Sequence, residues 1–157
     1  MTSRHFTLAA IGTVHSDRSD PIDDDWDAIS AHIALDPDQF GPEALLGLDS
    51  FSHAEIAFLF DRVPDGKIET GVRHPRGNTD WPRIGIFAQR GKNRPNRIGL
   101  TMCRIVRVDG LNLYLEGLDA IDGSPVLDIK PVMDGFLPRG EVIEPDWSKA
   151  LMAGYWV

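Results

Sequence analysis

The sequence predicts a mainly β, single-domain antiparallel β-barrel with short helices, and three observations predict it. At least six segments of strand length are either apolar throughout or alternate apolar with polar residues, the pattern of half-buried and fully buried strands. Gly, Pro and Asp punctuate them at short intervals, which leaves no regular β-α-β alternation and argues against a doubly wound sheet. Only residues 42–46 and 145–152 read as helix, and both segments are brief. Rolling short antiparallel strands into a closed or nearly closed barrel removes their exposed edges. One domain over residues 1–157 is enough chain, at 42% apolar content, to bury a core without disulfide staples.

In chain order, Phe6, Leu8 and Ala10 alternate with Thr7 and Ala9, predicting a first strand that continues to about Val14. With only Arg4 as a basic flank, the segment reads as a strand rather than a signal peptide. Residues 15–27 form an acidic loop holding Asp17, Asp20, Asp23, Asp24, Asp25 and Asp27 around Pro21 and Trp26. Its spacing lacks the Gly and terminal Glu of a calcium loop, so a solvated loop is expected and no metal site. Trp26 is a large ring in polar surroundings and needs something to stack on.

A second strand covers residues 28–35 and closes at Asp36-Pro37. One or two helical turns at 42–46 stop at Gly47, as Gly commonly follows a helix end. Ser52-His53 introduces an apolar third strand at 54–60, and His53 at its mouth is either functional or structural. After a turn at 63–66, the loop 71–83 holds Arg73, His74, Arg76, Trp81 and Arg83. Arginine interleaved with aromatics suits base stacking and phosphate binding, and equally suits a long surface loop.

Strands at 84–88 and 98–106 flank the turn 89–97, where Gly91 and Pro95-Asn96 permit a tight bend. Asp109-Gly110 suits a type I′ hairpin, and Leu111, Leu113 and Leu115 then alternate with polar residues. Residues 117–131 carry two turn acids, Asp119 and Asp122, and a strand with Asp128 and Lys130 on one face, where they either pair or line a pocket. A short helix at 145–152 precedes Gly154-Tyr155-Trp156-Val157, an apolar stretch that covers the core or a partner subunit.

Charge is divided unevenly. The net charge of −8 argues against nucleic acid, yet residues 66–108 contain ten Lys/Arg against Glu69 and Asp80, a local +8 beside −16 elsewhere. The turn 89–97 contains Arg90, Lys92, Arg94 and Arg97 and no acidic residue. Such a strand-anchored cationic loop is either a platform for phosphate or carboxylate groups or a solvated hairpin tip. There is no G-x-G-x-x-G after a strand, no Walker pattern, no H-E-x-x-H, no C-x-x-C and no G-x-S-x-G. The single Cys103 excludes an intrachain disulfide and fits a reducing compartment, so a cytoplasmic location is expected. No run approaches the ~20 apolar residues of a membrane-spanning helix.

Several strings resemble a known family. Ile11-Gly12-Thr13-Val14-His15-Ser16, Gly47-Leu48-Asp49-Ser50-Phe51-Ser52-His53, Gly85-Ile86-Phe87-Ala88, Arg90, Arg94-Pro95-Asn96, Ile98-Gly99-Leu100, Gly117-Leu118-Asp119 and Asp122-Gly123-Ser124-Pro125-Val126-Leu127-Asp128-Ile129-Lys130-Pro131 are similar to those of the TsaA-like, or TrmO-like, family. The last string is the most specific. The resemblance implies a non-Rossmann β-barrel methyltransferase that uses S-adenosylmethionine to N6-methylate threonylcarbamoyladenosine at tRNA position 37. It also implies a homodimer with the cofactor held between loops at the barrel mouth.

Carried onto this chain, the family's cofactor contacts fall at Arg90, Leu100, Leu118, Asp119, Asp122 and Gly123, with His53 lining the pocket. Trp26 stands where the family has its early Pro-Arg-Gln loop and is available for adenine. Arg76, Lys92, Arg94, Arg97 and Lys130 are the expected RNA contacts. Asp128 and Asp119 are the candidates for accepting the amine proton, and Asp128 alternatively pairs with Lys130. The family's bacterial tRNA enzymes carry a further C-terminal region that grips tRNA, for which these residues leave no room. Cofactor binding is accordingly the firmer expectation. A small-molecule acceptor, or a non-catalytic barrel that binds nucleotide or RNA, remains the alternative.

Overall fold

The computed structural model describes residues 2–157. Its strands are β1 (Gly12–Ser16), β2 (Ser30–Leu35), β3 (His53–Leu59), β4 (Val72–Arg73), β5 (Ile84–Gly85), β6 (Ile98–Asp109), β7 (Asn112–Glu116) and β8 (Pro125–Pro131), and a single α-helix, α1 (Asp146–Met152), follows. Six strands close an antiparallel barrel in the order β1-β2-β7-β6-β3-β8, and β4 and β5 form a separate two-stranded ribbon. The expected barrel is therefore present.

The barrel closes because one face of each strand is apolar. β3 alternates strictly, with Ala54, Ile56 and Phe58 inside, and β2 does the same with Ala31, Ile33 and Leu35. Val14, Leu113, Leu115 and Val126 complete the interior, all essentially inaccessible. Each such side chain stabilises the fold by about 1.5–3 kcal/mol relative to exposure. Gly99 makes room for the largest of them. It lies opposite Phe58 in the β3–β6 ladder, and a Cβ there would come within 2.4 Å of the Phe58 ring.

Two predicted strands are shorter than expected. The first begins at Gly12, not Phe6, and Phe6 and Leu8 are exposed. Alternation alone gave them no partner, since the β1 ladders with β2 and β8 both begin at Gly12. In 84–88, only Ile84–Gly85 pairs as a strand, and Ile86–Ala88 turn into a 3-10 helix closed by the Gln89 amide on the Ile86 carbonyl, 3.1 Å.

The apolar tail lies on its own barrel. Amides of Asp25, Trp26 and Asp27 donate to the carbonyls of Gly154, Tyr155 and Trp156 at 3.2, 3.0 and 2.9 Å. This ladder ties the acidic loop to the segment after α1. No helix among the described residues is long and apolar enough to cross a membrane.

Candidate functional site

β6 is the longest strand and is only half paired on one side. It runs beside β3 from Ile98 to Arg104, but joins β7 only from Arg104 onward. Its first half thus leaves an edge whose backbone groups need other partners. One loop partners a backbone carbonyl there, and a second bonds side chains of the same stretch. From the basic turn, the Arg90 guanidinium donates to the Leu100 carbonyl at 2.7 Å. From the other direction, the chain leaving β7 turns at Gly117, whose carbonyl accepts from the Cys103 thiol at 3.6 Å. Leu118 is fully buried and anchors the turn, and the Asp119 carboxylate accepts from the Thr101 hydroxyl. Arg90 and Asp119 therefore flank consecutive residues of one strand edge.

Asp119 has a second donor. The Tyr155 hydroxyl, brought in by the tail, donates to the other carboxylate oxygen. Burial, and then the Asp119 charge, push the Tyr155 phenol far above its ordinary range, so it stays protonated and donating. The Cys103 thiol is also pushed up, first by burial and then by Asp119. It is a core group and not a nucleophile.

The remaining predicted residues are dispersed. Trp26 is 3% exposed, with the Arg18 guanidinium 4.4 Å from its ring centroid. That cation is the ring's stacking partner, and an adenine would have to displace it. The Trp26 Nε1 is buried without a hydrogen-bond partner among the described residues. His53 is exposed and linked to Ser52 Oγ at 2.7 Å. Asp122 and Gly123 form the turn before β8. Gly123 needs its φ of +85°, and Asp122 Oδ1 accepts from the Ser16 amide at 3.0 Å. Asp122 also lines an open concavity of about 270 Å³ along β1 and β2; a second, of about 340 Å³, lies beside it.

The two candidate catalytic carboxylates point to opposite faces. Asp128 lies opposite Ala57 of β3, which in turn lies opposite Leu100 of β6. Directly opposed residues share a face, and Leu100 is 46% exposed while Thr101 is 7% exposed. Asp128 is thus on the outer surface, where Lys130 pairs with it at 2.9 Å. Asp119, bound to Thr101, is on the inner side.

Much of the local +8 is tied internally. Arg76 pairs with Asp24 at 2.9 Å, Arg94 donates to the Gln89 carbonyl at 2.6 Å, and Arg97 bridges the Val63 carbonyl at 2.6 Å and Asp65 at 3.0 Å. Arg73 reaches Gln89 Oε1 at 3.2 Å. The Lys92 ammonium has no ion-pair or hydrogen-bond partner among the described residues, while the Lys92 backbone carbonyl accepts from the Arg94 amide at 2.9 Å. Guanidinium groups, each with several donors, substitute here for the missing sheet ladder.

Sequence reasoning missed Thr101, Tyr155 and Gln89. Thr101 is the polar member of the inward row Gly99, Thr101, Cys103, and that row was a usable signal. Tyr155 gave none beyond an apolar tail. Also missed was an outer ladder across four strands, in which His15 stacks on His32 at 4.8 Å, His32 on Tyr114 at 5.0 Å, and Arg107 lies 3.6 Å from the Tyr114 centroid.

A closed antiparallel barrel with a cation and a carboxylate on one open strand edge defines a small β-barrel protein of the non-Rossmann type. Comparison with known proteins narrows the class. The family model described as the tRNA-methyltransferase O N-terminal domain matches residues 13–136, and the chain belongs to this family. It is 40% identical over 102 residues to the human tRNA (adenine(37)-N6)-methyltransferase, covering 65% of this chain and 23% of that protein. The Escherichia coli protein of the same name is 41% identical over 112 residues, covering 68% and 44%. A probable S-adenosyl-L-methionine-binding protein of Pyrococcus abyssi is 33% identical over 135 residues, covering 84% and 71%. Among solved structures, TrmO from Pseudomonas aeruginosa superposes with a TM-score of 0.74 at 26% identity, covering 93% of this chain and 63% of that one. The chain spans about a quarter of the human relative's length and under half of the Escherichia coli relative's.

Proposed function

We propose that this domain binds S-adenosylmethionine and transfers its methyl group to N6 of the adenine, as threonylcarbamoyladenosine, at tRNA position 37. The observation that carries this reading is the placement of Arg90 and Asp119 on the same open edge of β6, in a chain of this family. The residues fit the cofactor. A carboxylate offers about four acceptor positions, and two are taken on Asp119, which leaves acceptors for ribose hydroxyls. The buried Trp26 Nε1, without a hydrogen-bond partner among the described residues, is a further donor near the tail.

When bound, the cofactor supplies an electrophilic sulfonium methyl. The chain's task is to hold donor and acceptor in line and exclude water. Asp119 orients the cofactor, Arg90 fixes the edge beside it, and Leu118 keeps the floor dry. Asp128, on the outer face, is assigned no step. Lys92 and the loop 71–97 meet the RNA backbone, a sequence-independent and salt-dependent interaction. The domain works as a homodimer through the outer face of β6, where Leu100, Met102 and Val106 are each nearly half exposed. Its compartment is the cytoplasm, in keeping with the lone buried Cys103.

Calorimetry with S-adenosylmethionine, followed by transfer of labelled methyl into tRNA bearing threonylcarbamoyladenosine, tests the reading. Saturable binding and label in the N6-methyl product support it. Absence of both in the purified protein refutes it.

A further inference from the structure

The family match ends at residue 136, yet the carboxylate at the centre of the site is held by a residue well beyond it. Asp119 has its two oxygens bonded by different groups, Thr101 from the barrel wall and Tyr155 from the segment after α1. The Tyr155 segment is fixed independently of that contact. Its backbone accepts from three consecutive amides of the acidic loop, Asp25 to Asp27. The Tyr155 ring also packs edge-on against Trp156 at 4.9 Å, and Trp156 lies 4.0 Å from the Cβ position of Gly117. The phenol therefore arrives at Asp119 from a rigid support, and the carboxylate plane is set by donors on both sides.

We infer that Tyr155 is a positioning residue for cofactor binding: with Thr101 it locks the Asp119 carboxylate so that each oxygen keeps one acceptor position directed at the ligand. The inference rests on the proposed S-adenosylmethionine site. A carboxylate with one donor is free to rotate and to meet water, whereas one clamped by two presents a fixed pair of acceptors, matched to a vicinal diol. Charge-assisted hydrogen bonds of this kind are about twice as strong as neutral ones, and a preorganised acceptor pair spares the ligand the ordering step. The opposite possibility, that the tail is a plug which the ligand must expel, predicts the opposite sign of the Tyr155 effect.

A double-mutant cycle separates the outcomes. S-adenosylmethionine affinity is measured by calorimetry for the wild type, Tyr155→Phe, Asp119→Asn and the double variant. Tyr155→Phe keeps the ring and removes only the hydroxyl. The expected result is a loss of affinity of about tenfold for Tyr155→Phe, with little further loss when it is added to Asp119→Asn. Equal losses in both backgrounds would mean that Tyr155 acts through the fold alone and would overturn the inference, as would unchanged or tighter binding by Tyr155→Phe. A readout without ligand accompanies the cycle: the Cζ resonance of Tyr155, followed with pH in the wild type, should show no ionisation where an ordinary phenol titrates. Ordinary titration overturns the clamp whatever the affinity. If the phenol stays protonated but the wild type binds no cofactor, the clamp geometry holds and it is the proposed site, and Tyr155's part in it, that fails.

Discussion

The barrel wall and the basic loop at residues 66–97 are stabilised by different means. In the wall, backbone ladders and apolar side chains such as Phe58, Ile56 and Ile33 do the work, and polar groups are sparse inside. In the loop the one ladder is the short β4–β5 ribbon; Arg94 and the buried Gln89 donate to carbonyls within the loop, Arg73 donates to Gln89 Oε1, and Arg90 and Arg97 tie the loop to the Leu100 and Val63 carbonyls outside it. The difference shows that a cationic stretch on an acidic protein can be largely architectural. Its charge is not a direct measure of the surface left for a polyanion.

Four substitutions or conditions probe this contrast, beginning with the largest effect. Phe58→Ala removes the ring that fills the space beside Gly99 and should cost about 3–5 kcal/mol, read from urea unfolding midpoints. A loss below about 1 kcal/mol would mean that the wall does not depend on this packing. Gln89→Leu strips the clip that donates to the Ile84 carbonyl at 3.0 Å and accepts from Arg73. It should cost about 1–3 kcal/mol, because buried groups are left unpaired. Unchanged stability would show that the loop is not held through Gln89.

Lys92→Ala sharpens the contrast from the other side. The Lys92 ammonium has no partner among the described residues, and the substitution keeps the backbone bond from the Arg94 amide, so stability should shift by less than about 0.5 kcal/mol. Affinity for tRNA should fall, and the slope of log affinity against log salt should shrink by about 1. An unaltered slope would remove Lys92 from the RNA surface.

The smallest effect is expected from pH. Burial, then His15, then Arg107 hold the His32 ring below its ordinary value of 6.5. The unfolded chain therefore takes up the proton first. The stability from this group is fully present above that value and declines as pH falls through it. The melting temperature of the wild type should drop more than that of His32→Asn between about pH 7 and about pH 5.5. Parallel curves would contradict the shift.

The wall was legible in the sequence because its physics is periodic. The apolar run at 54–60, alternation at 111–115 and Asp109-Gly110 between two strands located β3 and β7 to within a residue and the start of β6, whose observed end lies three residues beyond the expected 106. Alternation overreached at Phe6 and Leu8, where nothing in the local pattern reveals that no neighbouring strand exists. The site was partly legible. Of the residues the resemblance singled out, Arg90 bonds the Leu100 carbonyl and Asp119 bonds the hydroxyl of the next residue, Thr101, whereas Trp26 is buried under Arg18 and His53 is exposed beside Ser52. Thr101 could have been found from the inward row of β6, whereas Tyr155 escaped because its part depends on long-range packing, 36 residues from Asp119. Local spacing carries no record of such a contact.

The central claim is that ligand binding is centred on the β6 edge between Arg90 and Asp119. Amide chemical-shift mapping during titration with S-adenosylmethionine tests it most directly. The account predicts the largest shifts at Leu100, Thr101, Leu118 and Asp119. Shifts centred instead on His15, Ser16 and His32, in the concavity along β1 and β2, would contradict it.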